Sequence, residues 1–107
     1  MAYLTSGQTG DVDLLRGAFH ESARLQSVKD GRYTEWSGQE FISWRRPGKR
    51  SEYEARVLSV DCAGTAAVAK VELVFPDRRY VDYLSLLEIG GRWWIVNKIF
   101  HTEREVF

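Results

Sequence analysis

The run from Val81 to His101, VDYLSLLEIGGRWWIVNKIFH, constrains the fold more than any other part of this 107-residue chain. Two segments rich in β-branched and aromatic residues flank Gly90-Gly91, and a Gly-Gly pair supplies the positive φ values that a tight primed turn requires. The spacing predicts a long antiparallel hairpin. With the two glycines as its loop, Leu84 lies opposite Asn97, Asp82 opposite Ile99 and Tyr80 opposite His101. One face then carries Tyr80, Asp82, Leu84, Leu86, Ile95, Asn97, Ile99 and His101, and the other carries Val81, Tyr83, Ser85, Leu87, Trp94, Val96, Lys98 and Phe100. Both faces are mostly apolar, so both are expected to be covered, one by the core and one by a partner. On this register Asp82 and Lys98 fall on opposite faces and do not pair.

The length fits one domain with a real core, and 44% hydrophobic residues with four tryptophans argue for a folded chain over a disordered one. Fifteen basic residues balance fifteen acidic ones, which removes the electrostatic basis for general binding to nucleic acid or to an anionic membrane. The basic stretch Arg45-Arg46-Pro47-Gly48-Lys49-Arg50 reads as a solvated turn. Cys62 is the single cysteine, so no internal disulfide can form. With no signal peptide and no bilayer-length apolar span visible, a soluble cytoplasmic protein is expected.

Along the chain, Asp11 to Phe19 is expected to form a short amphipathic helix with Val12, Leu15 and Phe19 on one face. Ala23 to Val28 and Arg32 to Trp36 read as strands joined through Asp30-Gly31, a strong hairpin dipeptide. A second helix is expected from Gln39 to Arg45, ended by Pro47. From Glu52 onward the period changes to that of strands, with Tyr53 to Cys62 and Thr65 to Phe75 forming a hairpin across Ala63-Gly64. Helices and short strands followed by four longer strands make an α+β pattern, a curved sheet with helices on one side.

A set of segments in order carries a resemblance: Tyr3 with Gly10-Asp11, Phe19-His20, Ala23-x-Leu25, Ser37-Gly38-Gln39-Glu40-Phe41, AAVAKV from Ala66 to Val71, Asp82-Tyr83-Leu84-x-Leu86, and GRWWIVNKIFH from Gly91 to His101. Together they resemble the lumazine-binding branch of the SnoaL-like, nuclear-transport-factor-2-like superfamily. The resemblance implies one domain over residues 1–107: a cone-shaped curved antiparallel sheet wrapped around helices, the cystatin-like α+β barrel roll. It also implies an apolar pocket at the open end, frequent dimers through the outer sheet face, and here a shortened N-terminal helix that either leaves a gap in the cone or is completed by another subunit. Tyr3 and Asp82 match the positions of the oxyanion-hole tyrosine and protonated aspartate of the ketosteroid isomerases. The base of those enzymes matches Ser27, which cannot take a carbon-bound proton, so that activity is set aside.

Asp82 reads either as a pocket carboxyl able to donate or to act as an acid, or as a structural aspartate bonded to backbone, Tyr80 or His101. Asn97 can donate and accept, toward a ligand or within the core. His20 suits either a general base or the negative end of a helix dipole, and His101 either a base in a Tyr80/Asp82/His101 cluster or an exposed strand end. Lys98, Tyr83, Lys70 and Glu72 are expected on the outer face as interface or rim residues. No metal site is expected, since two histidines and one cysteine lack ligand spacing, and no cofactor is required.

The expected function is binding of a small apolar or aromatic molecule, planar or polyketide- or steroid-like, by Asp82, Leu84, Leu86, Ile95, Asn97 and Ile99, with Trp36 and Trp44 nearby. An alternative is a cofactor-independent isomerase, dehydratase or cyclase using Asp82 with His20 or His101 and Tyr3. A third is an assembly module whose pocket has been filled. A homodimer through the outer sheet face is the expected partner arrangement.

Overall fold

In the computed structural model the described residues are 18–43 and 53–104. They form six strands, β1 (Phe19–Lys29), β2 (Arg32–Ser37), β3 (Glu54–Ala63), β4 (Ala66–Val74), β5 (Arg78–Ile89) and β6 (Arg92–Arg104), with one short helix, α1 (Gly38–Ser43), after β2. The strands make one sheet in the order β2-β1-β6-β5-β4-β3. Neighbours are antiparallel except β1 and β6, which run parallel. The sheet curves without closing, and α1 lies against β1 and β2 on its concave side.

The turns explain the strand ends. Asp30 and Gly31 both have positive φ, as do Gly90 and Gly91, the geometry that matches the twist of the flanking strands. The β3–β4 turn falls on Gly64-Thr65, one residue later than expected, because Ala63 pairs with Ala66. Phe19 belongs to β1 and not to the preceding helix, because its pairing with Ile95 draws it into the sheet. The remainder of the expected first helix, residues 11–17, lies outside the described residues, as do Tyr3, Trp44 and Arg45.

At the start of α1, Ser37 and Glu40 cap each other: the Glu40 amide donates to Ser37 Oγ at 3.0 Å and the Ser37 amide donates to Glu40 Oε1 at 3.1 Å. This reciprocal capping box satisfies two of the donors that a helix start leaves unpaired. Its helix can then sit close on the sheet, since a Cβ at Gly38 would lie 3.4 Å from both the Ala23 side chain and its carbonyl.

The core gathers Phe19, Ala23 and Leu25 of β1, Ala69, Val71 and Leu73 of β4, Leu84 of β5 and Ile95 of β6 on the concave face. Their alternation along each strand is the period of two that a half-buried strand must show. Phe41 of α1 and Trp36 close over them. Among the described residues no helix is long and apolar enough to cross a membrane.

Candidate functional site

β5 and β6 leave the Gly90-Gly91 turn in the register that the turn dictates, with Ile89 facing Arg92 and Leu86 facing Ile95. The next pair is Ser85 with Asn97, so Val96 is an extra residue on β6. Beyond this bulge Leu84 faces Lys98, Tyr83 faces Ile99, Asp82 faces Phe100 and Val81 faces His101. Side chains alternate between faces, so one inserted residue moves every later side chain of β6 to the other side. The expected assignment is corrected accordingly. Asn97, Ile99 and His101 share the convex face with Ser85, Tyr83 and Val81, whereas Lys98 and Phe100 join Leu84 and Asp82 on the concave face.

The bulge brings together the two charges that an unbroken hairpin keeps apart. Lys98 Nζ lies 3.4 Å from Asp82 Oδ2, and both side chains are withdrawn from water, Asp82 entirely and Lys98 to 7% exposure. Each charge alone at this depth would cost several kcal/mol, and pairing offsets much of that. The Lys98 ammonium also lies 4.9 Å from the Phe41 ring centre and 5.0 Å from that of Phe100, within cation–π range. Phe100 stacks on Trp36 with ring centres 5.9 Å apart and planes 21° apart, and it also meets Tyr80 at 6.4 Å. The result is one ion pair set at the end of an aromatic wall.

Of the residues singled out by sequence, Asp82, Leu84, Leu86, Ile95 and Trp36 lie together on this concave face. Lys98, Phe41 and Phe100 complete the group and were not foreseen there. A signal for Lys98 existed: an aspartate and a lysine of opposite charge stand in the two apolar strands of one hairpin, and a one-residue bulge brings them to the same face.

The convex face is different in kind. Val28, Tyr33, Tyr83, Ile99, Gln26 and His101 line an open groove of about 450 Å³ floored by Ser27 and Phe100. Ile99 is 49% and Tyr83 40% exposed. Lys70 lies over the Tyr83 ring at 5.6 Å, so these two occupy the outer face as expected. Ser27 spends its hydroxyl on the Phe100 carbonyl at 2.8 Å, a strand-to-strand link. On the rim, Arg24 Nε and the Tyr33 hydroxyl both donate to Glu35, at 2.8 and 3.0 Å. The Arg24 hydrogen bond first, then that of Tyr33, lowers the Glu35 pKa below the ordinary carboxylate value, and the same contact raises that of Tyr33.

Neither histidine is brought to Asp82. His101 is 65% exposed on the convex side, with Nε2 3.6 Å from Glu103. His20 follows the buried Phe19, accepts the Ser22 amide at Nδ1 and meets Trp94 edge-on at 5.8 Å.

Residues 1–101 match the family described as "Putative lumazine-binding". The chain belongs to that family. Its fold is nuclear-transport-factor-2-like: an NTF2-like protein of unknown function from Shewanella baltica OS155 superposes with a TM-score of 0.84 at 29% identity, covering 97% of this chain and 87% of that one. A second, from Methylobacillus flagellatus KT, gives 0.83 at 25% identity over 95% and 84% of the two chains. This family member is also 24% identical over 103 residues to aldolase FrzH of Cladobotryum sp, covering 94% of this chain and 82% of that protein. Family and fold are those of a ligand-binding domain built on a curved α+β sheet.

Proposed function

We propose that this chain binds a small, largely apolar molecule of planar aromatic, polyketide-like or steroid-like shape against the concave face of its sheet. The observation that supports this most is the Asp82–Lys98 pair, held among Phe41, Phe100 and Leu84 where a purely structural core has no need of charge. A buried ion pair is often no more stabilising than the apolar residues that could replace it. Its presence in the concavity is explained if it anchors one polar atom of a mostly apolar ligand. A panel of planar aromatic compounds tests this by thermal shift, since any ligand that binds only the native state raises its stability, by about 2.7 kcal/mol at a hundredfold excess over Kd. A rise that disappears when Leu84 is replaced by a bulkier Phe supports the concave site. No rise with any compound defeats the proposal.

A second reading is catalytic: a cofactor-independent isomerase, dehydratase, cyclase or aldol-type enzyme. The similarity to aldolase FrzH along nearly the whole chain favours it. With His20 against Trp94 and His101 on the convex face, the group that stands beside the Asp82 carboxylate among the described residues is the Lys98 ammonium. For the convex groove we propose a second copy of this chain as occupant, supported by the exposed apolar side chains of Val28, Tyr33, Tyr83 and Ile99. Light scattering on the purified chain tests it: a dimer that Ile99→Glu converts to monomer supports the groove as interface, and a monomer at all concentrations refutes it.

A further inference from the structure

We infer that the free edge of β3 is a contact for a second copy of this chain, the two β3 strands pairing antiparallel about a two-fold axis so that Arg56 of each faces Asp61 of the partner subunit. The surface is separate from the convex groove and does not depend on it. β3 ends the sheet, so its outer row of N–H and C=O groups meets no strand among the described residues. Sheets commonly protect such an edge by keeping it short or by placing lysine or proline on it. β2, at the other end, has six residues. β3 has ten, EARVLSVDCA, without lysine or proline, and leaves Val57 and Leu58 46% and Val60 61% exposed.

The bulge in β3 selects the register. Leu58 has no partner in β4, whereas Val57 pairs with Val71 and Ser59 with Lys70. Residues that face each other across antiparallel strands must lie on the same side of the sheet. In an unbroken strand Arg56 and Asp61 would lie on opposite sides, but the inserted Leu58 returns Asp61 to the side of Arg56, where the two meet Val68 and Glu72 of β4. Val57 and Val60 likewise share the concave side, against the core residues Val71 and Ala69. With the axis between Leu58 and Ser59, Arg56 faces the partner's Asp61, Val57 the partner's Val60, and Ala55 the partner's Cys62. Each of these pairs is same-sided. A bulge often blunts an edge, but on the axis it leaves a regular flank on either side.

Charge supports the same register. Asp61 makes no side-chain hydrogen bond or ion pair with the described residues, and Arg56 reaches Glu72 at 3.9 Å with 65% of its side chain exposed. Two complementary pairs therefore form without breaking a buried contact. The contact is isologous and closes on itself, since each copy spends its one β3 edge. One strand against one strand lies at the small end of specific interfaces, below about 1,200 Å² in total, so the association is weak.

Sedimentation velocity on the full chain carrying Ile99→Glu, which charges the convex groove, reads this contact alone. The chain is expected to pass from monomer at about 1 μM toward dimer at about 1 mM. Asp61→Arg or Arg56→Asp in that background turns two attractive pairs into two repulsive ones and is expected to weaken association about tenfold or more. An equal mixture of those two chains sets opposite charges against each other again and is expected to regain the affinity of the unreversed chain. The mixing experiment repeated with Ile99 intact keeps the test independent of that substitution. Hydrogen exchange of the β3 amides is expected to slow as the dimer forms. A monomer at the highest concentration overturns the inference. So does a dimer that neither reversal weakens, a mixture no tighter than its components, or β3 amides whose exchange is unchanged in the dimer.

Discussion

The two faces of the β5–β6 hairpin are about equally apolar in sequence, yet they have opposite fates. On the concave side Asp82, Leu84 and Lys98 are sealed beneath Phe41 and the Trp36–Phe100 stack, whereas on the convex side Tyr83 and Ile99 remain about half open around a groove. Hydrophobicity does not decide which side is buried, because the helix-bearing side contains both charges and the open side contains isoleucine, valine and tyrosine. Register decides it. The single residue Val96 transfers a lysine inward and an asparagine, an isoleucine and a histidine outward. A curved sheet uses a bulge to bend, and here the bend also assembles the polar centre.

The contrast breaks most visibly at the ion pair. Lys98→Met leaves the Asp82 carboxylate buried without its counter-charge and is expected to cost about 3–5 kcal/mol in urea unfolding, while Asp82→Leu/Lys98→Met recovers most or all of that stability. A surface lysine would instead tolerate the single change within about 0.5 kcal/mol. Next in size is the comparison of two aliphatic residues on the same hairpin. Leu84→Ala, fully enclosed, is expected to cost about 2–5 kcal/mol, and Ile99→Ala, on the open face, about 0.5 kcal/mol or less in the monomer. Equal losses at the two positions would mean that the convex face is as buried as the concave one.

A smaller effect sits where α1 is held over the concave side. Ser37→Ala removes half of the capping box and is expected to lower stability by about 1 kcal/mol, with most of the loss seen as faster hydrogen exchange in α1. The smallest effect belongs to the convex rim. Glu35 is held below its ordinary pKa, so the unfolded chain binds its proton more readily, and the contribution is present above the ordinary carboxylate pKa and lost as pH falls through the folded value. Being at the surface it is screened by salt. The difference in melting temperature between wild type and Glu35→Gln is therefore expected to be slight at neutral pH, to vanish in acid, and to shrink in 1 M salt.

Much of this was legible in the chain. The Gly90-Gly91 and Asp30-Gly31 turns, the change of period after Glu52 and the ordered segments of the family marked the hairpins, the curved α+β fold and the shared face of Asp82, Leu84, Leu86 and Ile95. The bulge was not legible, because residues 94–100 alternate large apolar side chains on both faces and either register buries a plausible row. That one residue puts Asn97, Ile99, His101 and Lys98 each on the face opposite to the one an unbroken hairpin gives it. The parallel pairing of β1 with β6 was hidden as well, since it joins strands from opposite ends of the chain and leaves no local pattern.

A double-mutant cycle on Asp82→Leu and Lys98→Met, with stability read from reversible urea unfolding, asks directly whether the bulge places these two residues in one buried pair. A buried pair gives a coupling of more than about 1 kcal/mol, with the double variant more stable than the sum of the singles. Additivity within about 0.5 kcal/mol would put the two side chains on opposite faces and contradict it.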